Sequence, residues 1–269
     1  MKRTLAIVAA ALILLAGCAA KPAPPAAVSL PAVPPATTPV DSTVPGTGPT
    51  GPGSGTPSVD SDIVWKQARI GYPLTSDDPR AKGKKVVALT FDDGPAADAQ
   101  SGATAQVLDI LKKENIKATF FVTGYGVKGN PDLLQREIAE GHTIGDHTLT
   151  HPDLWKLSKQ AVANEIIGDA KLIQQYTGKP VKFFRPPNGM YNQNIKEVTQ
   201  ENNLQIVTWT TGALDWEMKD PQKITAQVLN TVMPGAVVLM HDTHKWTAAA
   251  LPGIIQGLRD KGYEFVVLR

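Results

Sequence analysis

A single cysteine, Cys18, stands among the 269 residues, which excludes a disulfide framework and any metal site built from clustered thiolates. Metal chemistry in this chain must therefore draw on His, Asp or Glu. No apolar run reaches the roughly 20 residues that a spanning helix needs. Charge of one sign is not in excess, with 27 Lys and Arg against 25 Asp and Glu. The basic run at Lys82, Lys84 and Lys85 is short enough to be a solvated edge, so nucleic acid is not an implied partner, and no protein partner is implied either. The length suits one domain of ordinary size with a sizeable core.

The first residues are of a different kind. Lys2 and Arg3 precede an unbroken apolar run from Leu5 to Leu15, followed by Ala16 and Gly17, the pattern of an export signal. Leu15-Ala16-Gly17-Cys18 resembles the bacterial lipobox. That resemblance implies a lipoprotein signal peptide over 1–17, lipidation at Cys18, and an exported protein anchored to the cell membrane, facing the cell wall or periplasm. Several acyl chains on one residue are what stable anchoring requires. From Ala19 to about Asp60 the chain is Pro, Ala, Gly, Ser and Thr with few charges, and it cannot bury enough to fold. Residues 18–60 are expected to be a disordered linker, and in polyproline conformation they would reach on the order of 100 Å. A single folded domain is expected over 61–269, opening with a short lead-in that contains Trp65 and Ile70.

Strand-like apolar runs then alternate with helical patterns. Strands are expected at Lys85–Thr90, Thr119–Val122, His142–Asp146, Phe183–Arg185, Leu204–Trp209, Ala236–Met240 and Glu264–Leu268. Helices are expected around Thr104–Glu114, Asp132–Glu140, Ser158–Tyr176, Asn194–Glu201, Pro221–Met233 and Ala248–Asp260. Asp220-Pro221 reads as a cap followed by proline in the first turn, and Gly141 and Gly178 follow helical stretches. Such alternation means a parallel α/β sheet, and seven strands suggest a distorted TIM-like (β/α)7 barrel. A flat doubly wound sheet is the alternative, but no glycine-rich phosphate loop follows the first strand.

In a parallel barrel the functional face lies at the carboxyl ends of the strands. Asp92 and Asp93 follow the first strand, Asp146 and His147 close the third with His151 four residues on, and Arg185 closes the fourth. Asp215 lies beyond the fifth and His241 follows the sixth. Each has an ordinary reading. Asp93-Gly94-Pro95 can be a turn. His147 and His151 have the spacing of one helix face, yet no Glu beside the first supplies a protease motif. Arg185-Pro186-Pro187 can be a rigid turn with a solvated arginine, and His241-Asp242 a surface pair. His142, His244 and Trp155 read as structural, although His244 falls near the expected mouth. The convergence of several strand ends is what favours a site.

In combination these residues resemble the polysaccharide deacetylases of the NodB-homology type, carbohydrate esterase family four. The motifs are Thr90-Phe91-Asp92-Asp93-Gly94-Pro95, His147-Thr148-Leu149-Thr150-His151-Pro152, Arg185-Pro186-Pro187-Asn188-Gly189, Leu214-Asp215-Trp216 and Leu239-Met240-His241. The resemblance covers nearly all of Lys84 to Arg269. It implies that Asp93, His147 and His151 hold one divalent metal, zinc by donor type, with cobalt, nickel or another divalent ion able to bind the same set. It also implies Asp92 as general base oriented by Arg185, and His241 as general acid paired with Asp215. A backbone N–H near Asn188 would hold the oxyanion. Pro187 and Asn188 would contact substrate, and Trp216 and Leu239 would line a pocket for the acetyl methyl.

The sequence departs from the family pattern at Asn188, where a tyrosine is usual, at Gly212, where many members carry an aspartate, and at Asp146, where an asparagine is usual. The last would place an extra negative charge beside the metal ligands. The expected reaction removes N-acetyl groups from N-acetylglucosamine residues of peptidoglycan, with chitin oligosaccharide, poly-N-acetylglucosamine or acetylxylan as alternatives. A non-catalytic, wall-glycan-binding protein on the same fold is the reading from another class.

Overall fold

The computed structural model describes residues 83–96 and 102–269. The expected signal peptide, Cys18, the linker over 18–60, Trp65 and Ile70 lie outside the described residues. Among the described residues, no helix is long and apolar enough to cross a membrane.

The sheet grows outward from β1 (Lys85–Asp92). Every residue of this strand after Lys85 is buried, because a central parallel strand is covered on both faces. Alternation sorts its side chains. Val87, Leu89 and Phe91 pack among residues of α1 (Ala103–Lys113) and α8 (Lys245–Asp260), including Val107, Leu108, Leu251 and Ile254. Val86 and Ala88 join Phe121, Phe183, Val207, Val237 and Leu268 in a separate inner cluster. Thr90 and Asp92 continue that inner row, so the same period of two that buries the lower barrel delivers a hydroxyl and a carboxylate to its upper end.

Eight parallel strands form the sheet. β2 (Thr119–Val122), β3 (Thr143–Asp146), β4 (Phe183–Phe184) and β5 (Gln205–Ile206) follow in order on one side of β1. β7 (Ala236–His241) and then β6 (Thr211–Gly212) lie on the other. β8 (Tyr263–Phe265) pairs with the start of β1 at Lys85–Val87, below the β2 pairing at Thr90–Asp92. Among the described residues β5 and β6 do not pair, so the sheet is a curled, incompletely closed barrel, the distorted form that the strand pattern predicted.

The differences from the sequence expectation have physical causes. Strand β5 stops at Ile206 rather than Trp209 because the next carbonyls, of Val207 and Thr208, accept hydrogen bonds from the Arg185 side chain instead of a strand. β6 was not anticipated; its two residues carry no apolar run. Strand β8 ends at Phe265 rather than Leu268 because the tail turns under the barrel, where Leu268 is buried and its carbonyl accepts from Thr143 Oγ1. Helix α2 (Gly124–Gly129) carries no helical pattern in the sequence, since three of its residues are glycine. Thr123 caps it through Gly126 N–H, and a Cβ at Gly126 would lie 2.6 Å from the Gly94 carbonyl, so close packing on the β1 loop requires glycine there.

The remaining helices are α3 (Pro131–Ala139), α4 (Lys159–Thr177), α5 (Gln193–Glu201), α6 (Asp215–Met218) and α7 (Pro221–Thr231). Side-chain caps from Ser158, Asn192 and Asp220 start α4, α5 and α7, and Gly178 in left-handed geometry ends α4, as the cap chemistry predicts.

Candidate active site

Asp92 is the last residue of β1, and Asp93 begins the loop above it in left-handed conformation, with φ 74°. The turn reading of Asp93-Gly94-Pro95 is met, and the turn is what presents the carboxylate to the loop's inner side. His147 follows β3, and its Nδ1 lies 2.7 Å from the Arg185 carbonyl oxygen. That contact fixes the tautomer with the proton on Nδ1 and leaves Nε2 as a donor atom for a metal. His147 and His151 do not share a helix face. Thr148 and His151 adopt positive φ, and the loop folds back so that the rings meet edge to face at 5.0 Å.

Asp93 Oδ1 lies 3.4 Å from His147 Nε2 and 3.4 Å from His151 Nε2, and it has no hydrogen-bond partner although buried. One carboxylate oxygen and two imidazole nitrogens therefore converge on a common point, and their ligand atoms all lie within 4.8 Å of one another. An orphaned buried oxygen facing two imidazoles is the environment that a divalent cation satisfies, and the donor set suits zinc or a neighbouring transition ion. Burial would raise the pKa of Asp93, but its position beside His147, His241 and His151 brings it far below the usual carboxylate range.

Asp92 is held from below. Arg185, wholly buried, donates from Nη1 to Asp92 Oδ1 at 2.6 Å and to Thr90 Oγ1 at 2.8 Å. Its Nε and Nη2 take the Val207 and Thr208 carbonyls, each at 3.1 Å, and its guanidinium lies over the Phe121 ring. The solvated-arginine reading of Arg185-Pro186-Pro187 is therefore wrong: the guanidinium spans the barrel interior from the end of β1 to the segment after β5 and fixes the carboxylate in the same stroke. Asp92 Oδ2 points toward His147 Nε2 at 3.7 Å.

His241 ends β7, and its Nε2 lies 3.9 Å from Asp93 Oδ2. Its Nδ1 meets Asp215 Oδ1 at 2.8 Å. Burial disfavours charge on His241, but the hydrogen bond and charge of Asp215, with Asp92 and Asp93, push its pKa up to about 9. His241-Asp242 is no surface pair either: Asp242 is fully buried, bonded to Thr104 Oγ1.

Trp216, half-exposed, sets its ring edge to face with His241 at 5.4 Å. Leu239 lies two residues before His241 on the same face of β7 and is buried. Pro187 is buried, whereas Asn188 is exposed in left-handed conformation, with φ 58°, and donates to Asp153 Oδ1 at 3.3 Å. Asparagine is among the few side chains that tolerate this backbone region.

Three further residues complete the arrangement without having been singled out by sequence. Thr90 sits inside the first motif, and its inward register is the signal that could have found it. Trp246 and Thr247, in the first turn of α8, bond to Asp215 and carry no such signal. His244, expected near the mouth, stacks between His241 and Trp246. His142 lies away from this cluster, accepting from Ala118 N–H at the start of β3. The extra negative charge expected at Asp146 is muted, because burial raises its pKa and its neighbour Asp169 from α4 is buried and raised likewise. Asp146 Oδ1 accepts the Thr148 N–H at 2.8 Å and so shapes the histidine loop.

A family model described as polysaccharide deacetylase matches residues 80–207. Over 190 residues the chain is 45% identical to the peptidoglycan-N-acetylglucosamine deacetylase PgdA of Listeria monocytogenes, covering 71% of this chain but 39% of that protein. It is 42% identical over 195 residues to a peptidoglycan-N-acetylglucosamine deacetylase of Bacillus cereus, covering 68% of this chain and 69% of the relative. Among solved structures it resembles the polysaccharide deacetylase Bc1974 of Bacillus cereus, with a TM-score of 0.63, 39% identity, and coverage of 69% of this chain and 93% of that one.

Proposed function

The chain belongs to the polysaccharide deacetylase family, and we propose that it is a metal-dependent hydrolase removing N-acetyl groups from a polysaccharide. The observation that carries this reading is the convergence of Asp93, His147 and His151 beside two ionisable groups held in different ways, Asp92 by Arg185 and His241 by Asp215. A divalent cation bound by the three, zinc by preference, supplies a Lewis acid that acidifies water and draws density from an amide carbonyl.

The chain's own residues do the rest. Asp92, fixed by Arg185, takes the proton of the water as its oxygen adds to the acetyl carbon. The backbone N–H at Asn188 donates to the oxyanion that forms. His241, kept protonated by Asp215, then gives its proton to the nitrogen as the carbon–nitrogen bond breaks. An amine is a poor leaving group unless protonated, which is why a raised histidine suits this position. Leu239 and Trp216, both close to His241, form the apolar wall for the acetyl methyl, and Pro187 and Asn188 border the sugar.

Peptidoglycan N-acetylglucosamine is the substrate we favour, supported by the names of the Listeria and Bacillus cereus relatives. The organisation read from the sequence fits a wall substrate: an exported chain anchored at Cys18, a linker over 18–60 and a catalytic domain over 61–269. The test is acetate release by the full-length, zinc-loaded chain from peptidoglycan, chitin oligosaccharide, poly-N-acetylglucosamine and acetylxylan. Fastest release from peptidoglycan supports the assignment; preference for another glycan reassigns the substrate. Binding without release from any of them replaces the enzyme with a wall-glycan-binding protein. Labelled palmitate entering the parent but not Cys18→Ala tests the anchor.

A further inference from the structure

We propose that Thr247 is a positioning residue for proton delivery, setting the plane of the Asp215 carboxylate so that His241 is aimed at the leaving nitrogen. The inference rests on the reading of His241 as general acid. Asp215 is fully buried and all its acceptors are engaged. Oδ1 faces His241 Nδ1 at 2.8 Å, while Oδ2 accepts the His241 backbone N–H at 2.7 Å and the Thr247 hydroxyl at 2.6 Å. Its backbone carbonyl accepts from Trp246 Nε1 at 2.6 Å.

A carboxylate can rotate about its Cβ–Cγ bond. A single donor on Oδ2 fixes one oxygen; a second, from another direction, fixes the plane and therefore the line from Oδ1 to the imidazole. The His241 N–H comes from β7 and the Thr247 hydroxyl from the first turn of α8, so two elements grip the same oxygen. Trp246 pins the backbone of the residue at the same time. Thr247 is itself fully buried, and its hydroxyl has one proton to give, which this geometry directs to Asp215.

A residue that only filled space or satisfied a buried group would affect every reaction of the site equally. One that aims an acid affects only reactions whose leaving group needs a proton. Hydrolysis of an N-acetyl sugar breaks the carbon–nitrogen bond and leaves an amine that must be protonated by His241. Hydrolysis of 4-nitrophenyl acetate breaks a carbon–oxygen bond, and nitrophenolate departs with its electron pair without needing that proton.

The experiment compares the full-length, zinc-loaded parent with Thr247→Val, Thr247→Ser and His241→Gln on an N-acetylglucosamine oligomer and on 4-nitrophenyl acetate. Losing a hydrogen bond to a charged group should lower kcat on the amide roughly 10- to 100-fold in T247V, with KM little changed. The ester rate should fall far less, and T247S, which keeps the hydroxyl, should recover most of the amide rate. Equal losses on both substrates in T247V, or no recovery in T247S, would overturn the assignment of Thr247 while His241→Gln still shows the amide-selective loss. If H241Q itself loses both activities equally, the acid reading fails and this proposal with it.

Discussion

Replacing Arg185 by methionine keeps the aliphatic stem and removes the guanidinium, a change that tests fold and site together. Four acceptors lose their donor at once: Asp92 Oδ1, Thr90 Oγ1 and the carbonyls of Val207 and Thr208. Asp92 is 3% exposed, so it becomes a buried carboxylate with no cation at its side. Breaking a buried ion pair from one end costs about 3–5 kcal/mol, and each buried carbonyl left without a donor adds about 1–3 kcal/mol unless water reaches it. R185M should therefore lose at least about 3 kcal/mol in urea unfolding followed by tryptophan fluorescence, with chelator present so that metal does not mask the loss. Because part of that cost is the stranded charge, the double variant R185M/D92N should be more stable than the sum of the two single losses predicts. A loss under about 1 kcal/mol in R185M, or strict additivity in the double variant, would show that Arg185 does not tie the end of β1 to the segment after β5 through Asp92.

Asp215→Asn should lower the His241 pKa, which the Asp215 hydrogen bond and charge hold up, so the alkaline limb of amide hydrolysis moves down in pH; an unmoved limb contradicts the pairing. In the metal-free protein the raised His241 pKa contributes stability that is full below 6.5 and lost as pH rises through about 9, a loss that D215N should largely abolish in pH-dependent unfolding. Zinc at about 100 times its dissociation constant should stabilise the parent by about 2.7 kcal/mol, whereas His151→Ala at the same zinc concentration should show much less; equal thermal shifts would remove His151 from the ligand set. Gly189→Ala places a Cβ 2.6 Å from Trp209 Cη2 at φ +70°, and it should lower both stability, by about 1–3 kcal/mol, and activity.

Much of the site was legible because a parallel sheet has a simple rule: polar residues at the carboxyl ends of apolar strands share one face. Asp92, His147, Arg185 and His241 each sit at or just beyond such an end, and strand alternation alone aims Asp92 inward. The illegible parts are those set by contacts distant in sequence. Nothing near Arg185 announces that it would hold Val207 and Thr208 and so shorten β5. The spacing of His147 and His151 suggested a helix, yet left-handed backbone at Thr148 and His151 brings them together instead. Asp146 read as an added charge because its neighbour Asp169 comes from α4 and leaves no trace in the local motif. Thr247 was silent for the same reason, lying 32 residues from the carboxylate it grips.

The proposed chemistry has a divalent cation on Asp93, His147 and His151, with Asp92 as base, release acetate from an N-acetylated glycan. The measurement is acetate released from peptidoglycan by the chelated full-length chain, before and after addition of one equivalent of zinc, with Asp92→Asn in parallel. Release that appears only with metal, and is absent in D92N although that variant still binds zinc, is the predicted result. Release that persists under chelation, or survives unchanged in D92N, would contradict it.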